Sequence, residues 1–266
     1  MMAHSGADQQ TNANGKKIEL SVVIVAHNEE NRLASCLAHV AFADEIIVVC
    51  DKCTDRTEQI ASDAGARTFA GSWMIEGERR NFALAQASGD WILEVDADEH
   101  VSAELASEIR KVIASTPYDY HQLLVDNYIG DRLVRHGWGA SFGKPGYAGL
   151  FRRGVKHWGP QRVHPAVTFS GRKGFELEHR VRHYVDRNIS DMIRRLDSYS
   201  TARAADLRDS GKIGSFSNNL RRMFSRFFKC YVRRKGYKEG GMGFMVAICA
   251  ALFPMISYLK ARYEDN

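Results

Sequence analysis

The chain has 266 residues, 44% of them hydrophobic and 26% charged, the composition of a folded soluble protein with one large domain or a domain plus an appendage. Wholesale disorder is excluded. The net charge of +5 hides an asymmetry, since residues 1–120 carry 10 Lys/Arg against 20 Asp/Glu and residues 121–266 carry 27 against 12. Halves so different in sign are expected to meet different partners.

The five cysteines, an odd number in a chain this large, argue against a disulfide framework and for a reducing, cytoplasmic compartment. Residues 1–17 are polar without an apolar core, so they read as a disordered leader and not as a secretory signal. The first strand is expected at Leu20–Ala26, near-continuously apolar and rich in β-branched residues, as in a parallel sheet buried on both faces. Asn28 is placed to cap a helix carrying Leu33, Leu37, Val40 and Ala41 at helical spacing. A second buried strand follows at Ile46–Val49. Asp55 and Glu58 then form a capping-box-like helix start, and Gly65 a stop.

A short strand at Arg67–Ala70, a helix from about Glu78 to Ser88, and a strand at Trp91–Val95 come next. Ser102 caps a helix with the stripe Leu105, Ile109, Val112 and Ile113. This alternation predicts an α/β fold built on a doubly wound, mostly parallel sheet, with ligands at the carboxyl ends of its strands. The expected divisions are residues 18–116 for the half with the alternating strands and helices, 117–209 for a half of mixed strands and loops closed by a helix, and 210–266 for basic and apolar C-terminal helices.

Three polar or acidic sets end the predicted strands: His27–Glu29, Asp51–Asp55 and Asp96–Glu99. Asp96 and Asp98, two apart in an extended segment, face the same way. Two close carboxylates favour a cation between them, and hard oxygen ligands suit magnesium or manganese held jointly with phosphate oxygens. By itself an Asp-x-Asp is as compatible with a solvated loop. Its place after a buried strand, beside Asp51 and Asp55, points to a nucleotide diphosphate, with the base and ribose at Asp51. No Gly-rich phosphate loop occurs in the chain, so metal and cationic side chains would neutralise the diphosphate.

The set Ser21–Glu30, Asp51–Thr57, Arg80-Asn81 with Ala83-Leu84, and Gly89–Leu93 running into Asp96–Glu99 resembles the inverting glycosyltransferases of family 2, which have the nucleotide-sugar-binding type-A (GT-A) fold. Leu150–Gly154, Val163-His164 and His183-Tyr184 are similar to the branch with lipopolysaccharide core β-glucosyltransferases. The resemblance implies that Asp51 holds the base, Ala26, Asn28 and Glu29 line the nucleotide pocket, Arg80 supports the diphosphate, Asp96 lies near ribose or diphosphate, and Asp98 ligates the metal. It implies a UDP-linked hexose donor, glucose foremost, and direct displacement with inversion. The chain departs from the family's pattern at Cys50, where many members have a first aspartate, and at Pro165, Lys144–Gly146 and Gly149. Pro165 and Lys144–Gly146 stand where the family carries its usual carboxylate candidates for the base. His164 and Glu99 are candidates here, with Asp126 and Glu178 as alternatives.

Trp138, in the loop His136–Gly139, fits a sugar face at an acceptor and a buried structural tryptophan equally, and Arg152 and His183 are the other acceptor candidates. Residues 210–238 hold nine Lys/Arg and no acid, and Gly240–Leu259 is free of charge. This pattern suits attachment to an anionic membrane surface, against a docked core helix or a true span, and is not read as nucleic-acid binding. The sequence therefore predicts an enzyme at the cytoplasmic face of the membrane. Its partners would be a nucleotide sugar and an anionic lipid-linked saccharide such as the lipopolysaccharide inner core. Rival readings are the same fold acting on a polyprenyl phosphate or peptide, a non-catalytic nucleotide-sugar-binding protein, and a redox protein using Cys50-x-x-Cys53.

Overall fold

The computed structural model describes residues 17–139, 143–160 and 165–264; the expected leader, up to residue 16, and His164 lie outside the described residues. The chain forms two compact units. Unit 1 runs up to Leu124 and includes Gly146–Val181, and unit 2 comprises Val125–Pro145 and the residues from Arg182 onward.

Unit 1 begins with β1 (Leu20–Ala26), α1 (Leu33–Val40), β2 (Glu45–Asp51), α2 (Thr57–Asp63) and β3 (Arg67–Gly71). It continues through α3 (Glu76–Ala85), β4 (Trp91–Asp96), the two-residue β5 (Glu99–His100) and α4 (Ala103–Ser115). Strands β3-β2-β1-β4 are parallel in that order. Antiparallel β8 (Gly146–Arg152) joins β4, and the first half of β6 (Tyr120–Ile129) joins β8. A two-stranded sheet of β9 (Lys156–Trp158) and β10 (Val167–Phe169) lies apart. The long β11 (Lys173–Asp186) begins in unit 1 and pairs with β5.

Burial explains the parallel core. Leu20, Val22, Val23 and Ile24 of β1 are fully buried, as are Ile47, Val48 and Val49 of β2. Burying each such side chain contributes about 1.5–3 kcal/mol. Ser102 caps α4 by accepting from the Leu105 amide, and Leu105, Ile109, Val112 and Ile113 are its buried stripe. Asn28 does not cap α1. Arg32 stands at that helix start, and Asn28, at φ +55°, turns its carboxamide to the Thr54 amide in the next loop. Helix α3 starts two residues earlier than expected, because Glu76 and Glu78 complement the positive helix start and Glu76 pairs with Arg80 one turn on.

Unit 2 contains the hairpin of β6 with β7 (Arg132–Val134), then α5 (Ile189–Asp209) and α6 (Phe216–Phe228). A π-helical turn (Lys229–Arg233) and a 3-10 turn (Gly236–Glu239) lead into α7 (Gly240–Tyr263). Helix α7 packs along α5 and α6, and Val246, Ala247, Cys249 and Ala250 join Met192 and Leu196 in one core. By length and composition Gly236–Tyr263 could cross a membrane, yet 56% of its most apolar stretch is buried within the protein.

Candidate active site

In the order β3-β2-β1-β4 the succession of strands reverses between β1 and β4, and the crevice beyond such a point is where open α/β sheets bind ligands. Register puts the carboxyl ends of three strands level: Ala26 opposes Cys50, and Val25 opposes Asp96. The loops beyond are stitched together. The Glu29 amide donates to Thr57 Oγ1 (2.8 Å) and the Glu30 amide to Asp55 Oδ2 (3.1 Å). Asp55 also accepts from the Thr57 amide and hydroxyl. Lys52 follows β2 at φ +52°, in the left-handed region that side chains rarely adopt, while its Nζ donates to the Trp73 carbonyl.

Asp51 is buried. Its Oδ1 accepts from the Trp73 amide (3.0 Å) and its Oδ2 from Arg79 Nη1 (2.7 Å), while His27 Nδ1 meets the Asp51 carbonyl oxygen. Arg79 Nε is buried without a hydrogen-bond partner among the described residues. Arg80, the next residue, points elsewhere. It donates to Glu76 (2.9 Å), Glu94 (2.8 Å) and Asp96 (3.3 Å), and its guanidinium lies 4.8 Å above the Trp158 ring. Buried Glu94 also binds Lys156 Nζ at 2.5 Å. Burial pushes the Glu94 carboxyl up, but Lys156 and Arg80 more than offset this and hold it below the usual range. Burial pushes Lys156 down, and Glu94 offsets that in part.

Asp98 pairs with Arg32 at 3.4 Å. Glu29 stands in the field of this cluster, where burial first, then the charges of Asp98, Asp55 and Asp96 against the opposing pull of Arg32, raise it to about 7. Glu99 is fully buried, and its Oε2 accepts from the Tyr147 hydroxyl (2.5 Å) and the Asp96 amide (3.1 Å). The Asn81 side chain bridges α3 to the Trp158 backbone, its Nδ2 donating to the carbonyl oxygen and its Oδ1 accepting from the amide, and Gly77 permits that approach, since a Cβ there would overlap the Gly159 carbonyl oxygen.

The structure thus brings Ala26, Asn28, Glu29, Asp51, Arg80, Asp96, Asp98 and Glu99 to one end of the parallel strands. Arg152 is not among them. It stacks 4.7 Å over Trp91, at the opposite, amino end of β4. Trp138 and His183 belong to unit 2, where Trp138 Nε1 donates to the Val134 carbonyl and His183 meets Asn127 Oδ1. Asp126 is half-buried on β6, and Glu178 is exposed on β11 with its amide donating to Glu108. Sequence reasoning missed Arg32, Arg79, Glu94, Tyr147 and Lys156, which hold the acidic residues in place. A charged or hydroxylated side chain inside an otherwise apolar strand was the available signal for Glu94 and Tyr147.

Among the described residues no group of three or more His, Cys, Asp or Glu is placed to cage a metal. The donor set fits a different arrangement, in which one or two carboxylates share a hard cation with phosphate oxygens. Burial is the main reason Glu29 is raised, and the charges of Asp98, Asp55 and Asp96 add to it. Cys50 is buried, and burial and then Cys53 push its thiol up to about 12, far from the thiolate that redox exchange requires.

The model of glycosyl transferase family 2 matches residues 21–169. The chain belongs to glycosyltransferase family 2. Over 257 residues it is 29% identical to an uncharacterized glycosyltransferase of Rickettsia typhi, covering 92% of this chain and 87% of that one. It is 25% identical over 257 residues to the lipopolysaccharide core biosynthesis glycosyltransferase LpsC of Rhizobium meliloti, covering 92% of each. Among solved structures, Staphylococcus aureus TarS 1–349 in complex with UDP is similar at a TM-score of 0.49 and 16% identity, over 84% of this chain and 75% of that one. The family is that of a glycosyltransferase with a nucleotide-sugar-binding α/β fold, and the redox reading gives way to it.

Proposed function

We propose that the chain transfers a hexose, glucose foremost, from a UDP-sugar to a lipid-linked envelope glycan such as the lipopolysaccharide inner core, by metal-assisted direct displacement with inversion. The carboxylate cluster at the ends of β1, β2 and β4 carries this reading, and the similarity to LpsC along nearly all of both chains supports the acceptor class. Asp51 would accept from the base, with the Arg79 Nε–H available to a base carbonyl oxygen. Ala26, Asn28 and Glu29 would line the nucleoside. Asp98 and Asp96 would hold magnesium or manganese, which supplies Lewis-acid stabilisation of the leaving diphosphate.

Arg80 cannot swing freely, because three carboxylates and the Trp158 ring hold it. Its part is to fix Asp96 and set the positive charge behind it. Glu99, with Oε2 committed to Tyr147 and the Asp96 amide, orients the same turn, so we assign the base that takes the acceptor hydroxyl proton to His164. An imidazole is the side chain type suited to that transfer near neutral pH. Trp138 and His183 remain the proposed acceptor contacts, and Arg152 is assigned to packing on Trp91.

Titration calorimetry with UDP, with and without manganese, tests the donor site. The expected result is metal-dependent binding by the wild type that Asp98→Ala abolishes. A wild type that binds no UDP under any metal condition would remove the UDP-donor assignment.

A further inference from the structure

The donor chemistry leaves unused the most basic segment of the chain, residues 210–238. In the structure this segment is α6 and the two turns that follow it. One side packs inward: Asn219 and Cys230 are buried, and Phe227 and Tyr231 lie against the core of unit 2. The neighbouring side behaves differently. Phe224, Phe228 and Val232, four residues apart and so in one row, are 65%, 55% and 43% exposed. Scattered exposed apolar residues are ordinary, but a contiguous row rimmed by polar groups marks an interaction surface.

The rim here has one sign. Arg221, Arg222, Lys229 and Arg233 are exposed beside the row. The partners recorded for Arg221 and Arg222 are the neutral amides of Asn218 and Asn219. Tyr237 and Phe244, both exposed, extend the aromatic edge through their contacts with Tyr231. Two copies of such a face would bring cation against cation. The phosphates of a nucleic-acid duplex would satisfy the cations yet leave the phenyl row in water. A lipid surface satisfies both, taking apolar side chains below its headgroups while anionic headgroups meet the basic rim.

We propose that this face of α6 and of the π-helical turn that continues it, and not the apolar α7, is where the protein docks on an anionic lipid bilayer, with Phe224, Phe228 and Val232 inserted at the headgroup level. None of these residues is assigned to donor, metal or base, so the proposal stands apart from the chemistry above.

The test is co-sedimentation of the full chain with phosphatidylglycerol-containing and pure phosphatidylcholine vesicles, at low and high salt. The wild type is expected to sediment with the anionic vesicles alone and to be released by salt. Phe224→Ser/Phe228→Ser and Arg221→Gln/Arg222→Gln/Lys229→Gln are each expected to weaken that binding at least about ten-fold, with melting temperature and UDP affinity unchanged. Equal sedimentation with neutral vesicles overturns the proposal, as does its absence with both. So does wild-type vesicle binding by the phenylalanine variant, or a dimer that this variant converts to monomer. A wild type that binds UDP but no vesicles strikes this proposal alone, and one that binds anionic vesicles but no UDP strikes the donor reading alone.

Discussion

Glu29 and Glu94 show two outcomes of burying a carboxyl in the same site. Glu94 has Lys156 and Arg80 against its two oxygens and stays ionised. Glu29 is raised to about 7 by burial first and then by its acidic neighbours, with Arg32 opposing them. Carbon-13 NMR of the Glu29 carboxyl should therefore show a midpoint near 7, and Asp98→Asn should lower it, because one of the repelling charges is gone. A midpoint at the ordinary 4.5 in the wild type would mean that neither burial nor the acidic neighbours raise it. For Glu94 the expectation is structural. Glu94→Leu leaves two buried cations without their shared partner and should destabilise the protein by about 3–5 kcal/mol. The double variant Glu94→Leu/Lys156→Met should recover part of that loss in urea unfolding.

At the scale of elements, what could be read from the sequence was what a local pattern encodes. Helix α4 was visible in full, from its Ser102 cap to its apolar stripe, because both signals lie within one window of sequence. Ser102→Ala should accordingly cost about 1 kcal/mol, read as a lowered urea midpoint. Asn28 misled for a complementary reason: its partner, the Thr54 amide, lies 26 residues on, in a loop that only the β1–β2 pairing brings near. The same holds for the two adjacent arginines of α3. Helix phase sends Arg79 to Asp51 and Arg80 to Asp96, and no spacing rule separates neighbours so alike. Gly77 also acts through tertiary contact. Gly77→Ala should push α3 away from β9, breaking the Asn81–Trp158 bridge and weakening UDP binding more than Ser102→Ala does, as calorimetry on both variants would show.

For the whole molecule, the sequence located the acidic cluster because strand ends are legible from hydrophobic runs. It left the fate of the apolar C-terminus open, since a core helix and an interfacial helix have the same composition, and packing along α5 and α6 decides how much of α7 is covered. Charge also sets how stability responds to pH. Burial raises the carboxyls of Asp44, Glu45 and Glu108, but their hydrogen bonds more than reverse it. Asp44, held by Arg110 and the amides of Leu20 and Glu19, falls from 3.8 to about 2. Groups lowered in this way contribute stability above their unfolded pKa that is lost as pH falls through the folded one. Glu29 has the opposite sign, as its raised carboxyl favours the folded state below 4.5 and loses that contribution as pH rises through about 7. His121, buried and pushed down, opposes Glu29 over part of the same range, so a wild-type melting curve alone mixes the two. The difference between Glu29→Gln and wild type isolates the carboxyl. The variant should melt higher at pH 8, where the wild type carries an unfavourable charge, and that advantage should shrink through pH 7 and vanish below about 4.5. A difference that is constant across the range, or that grows on acidification, would show that Glu29 is not held at a raised pKa by its burial and its acidic neighbours.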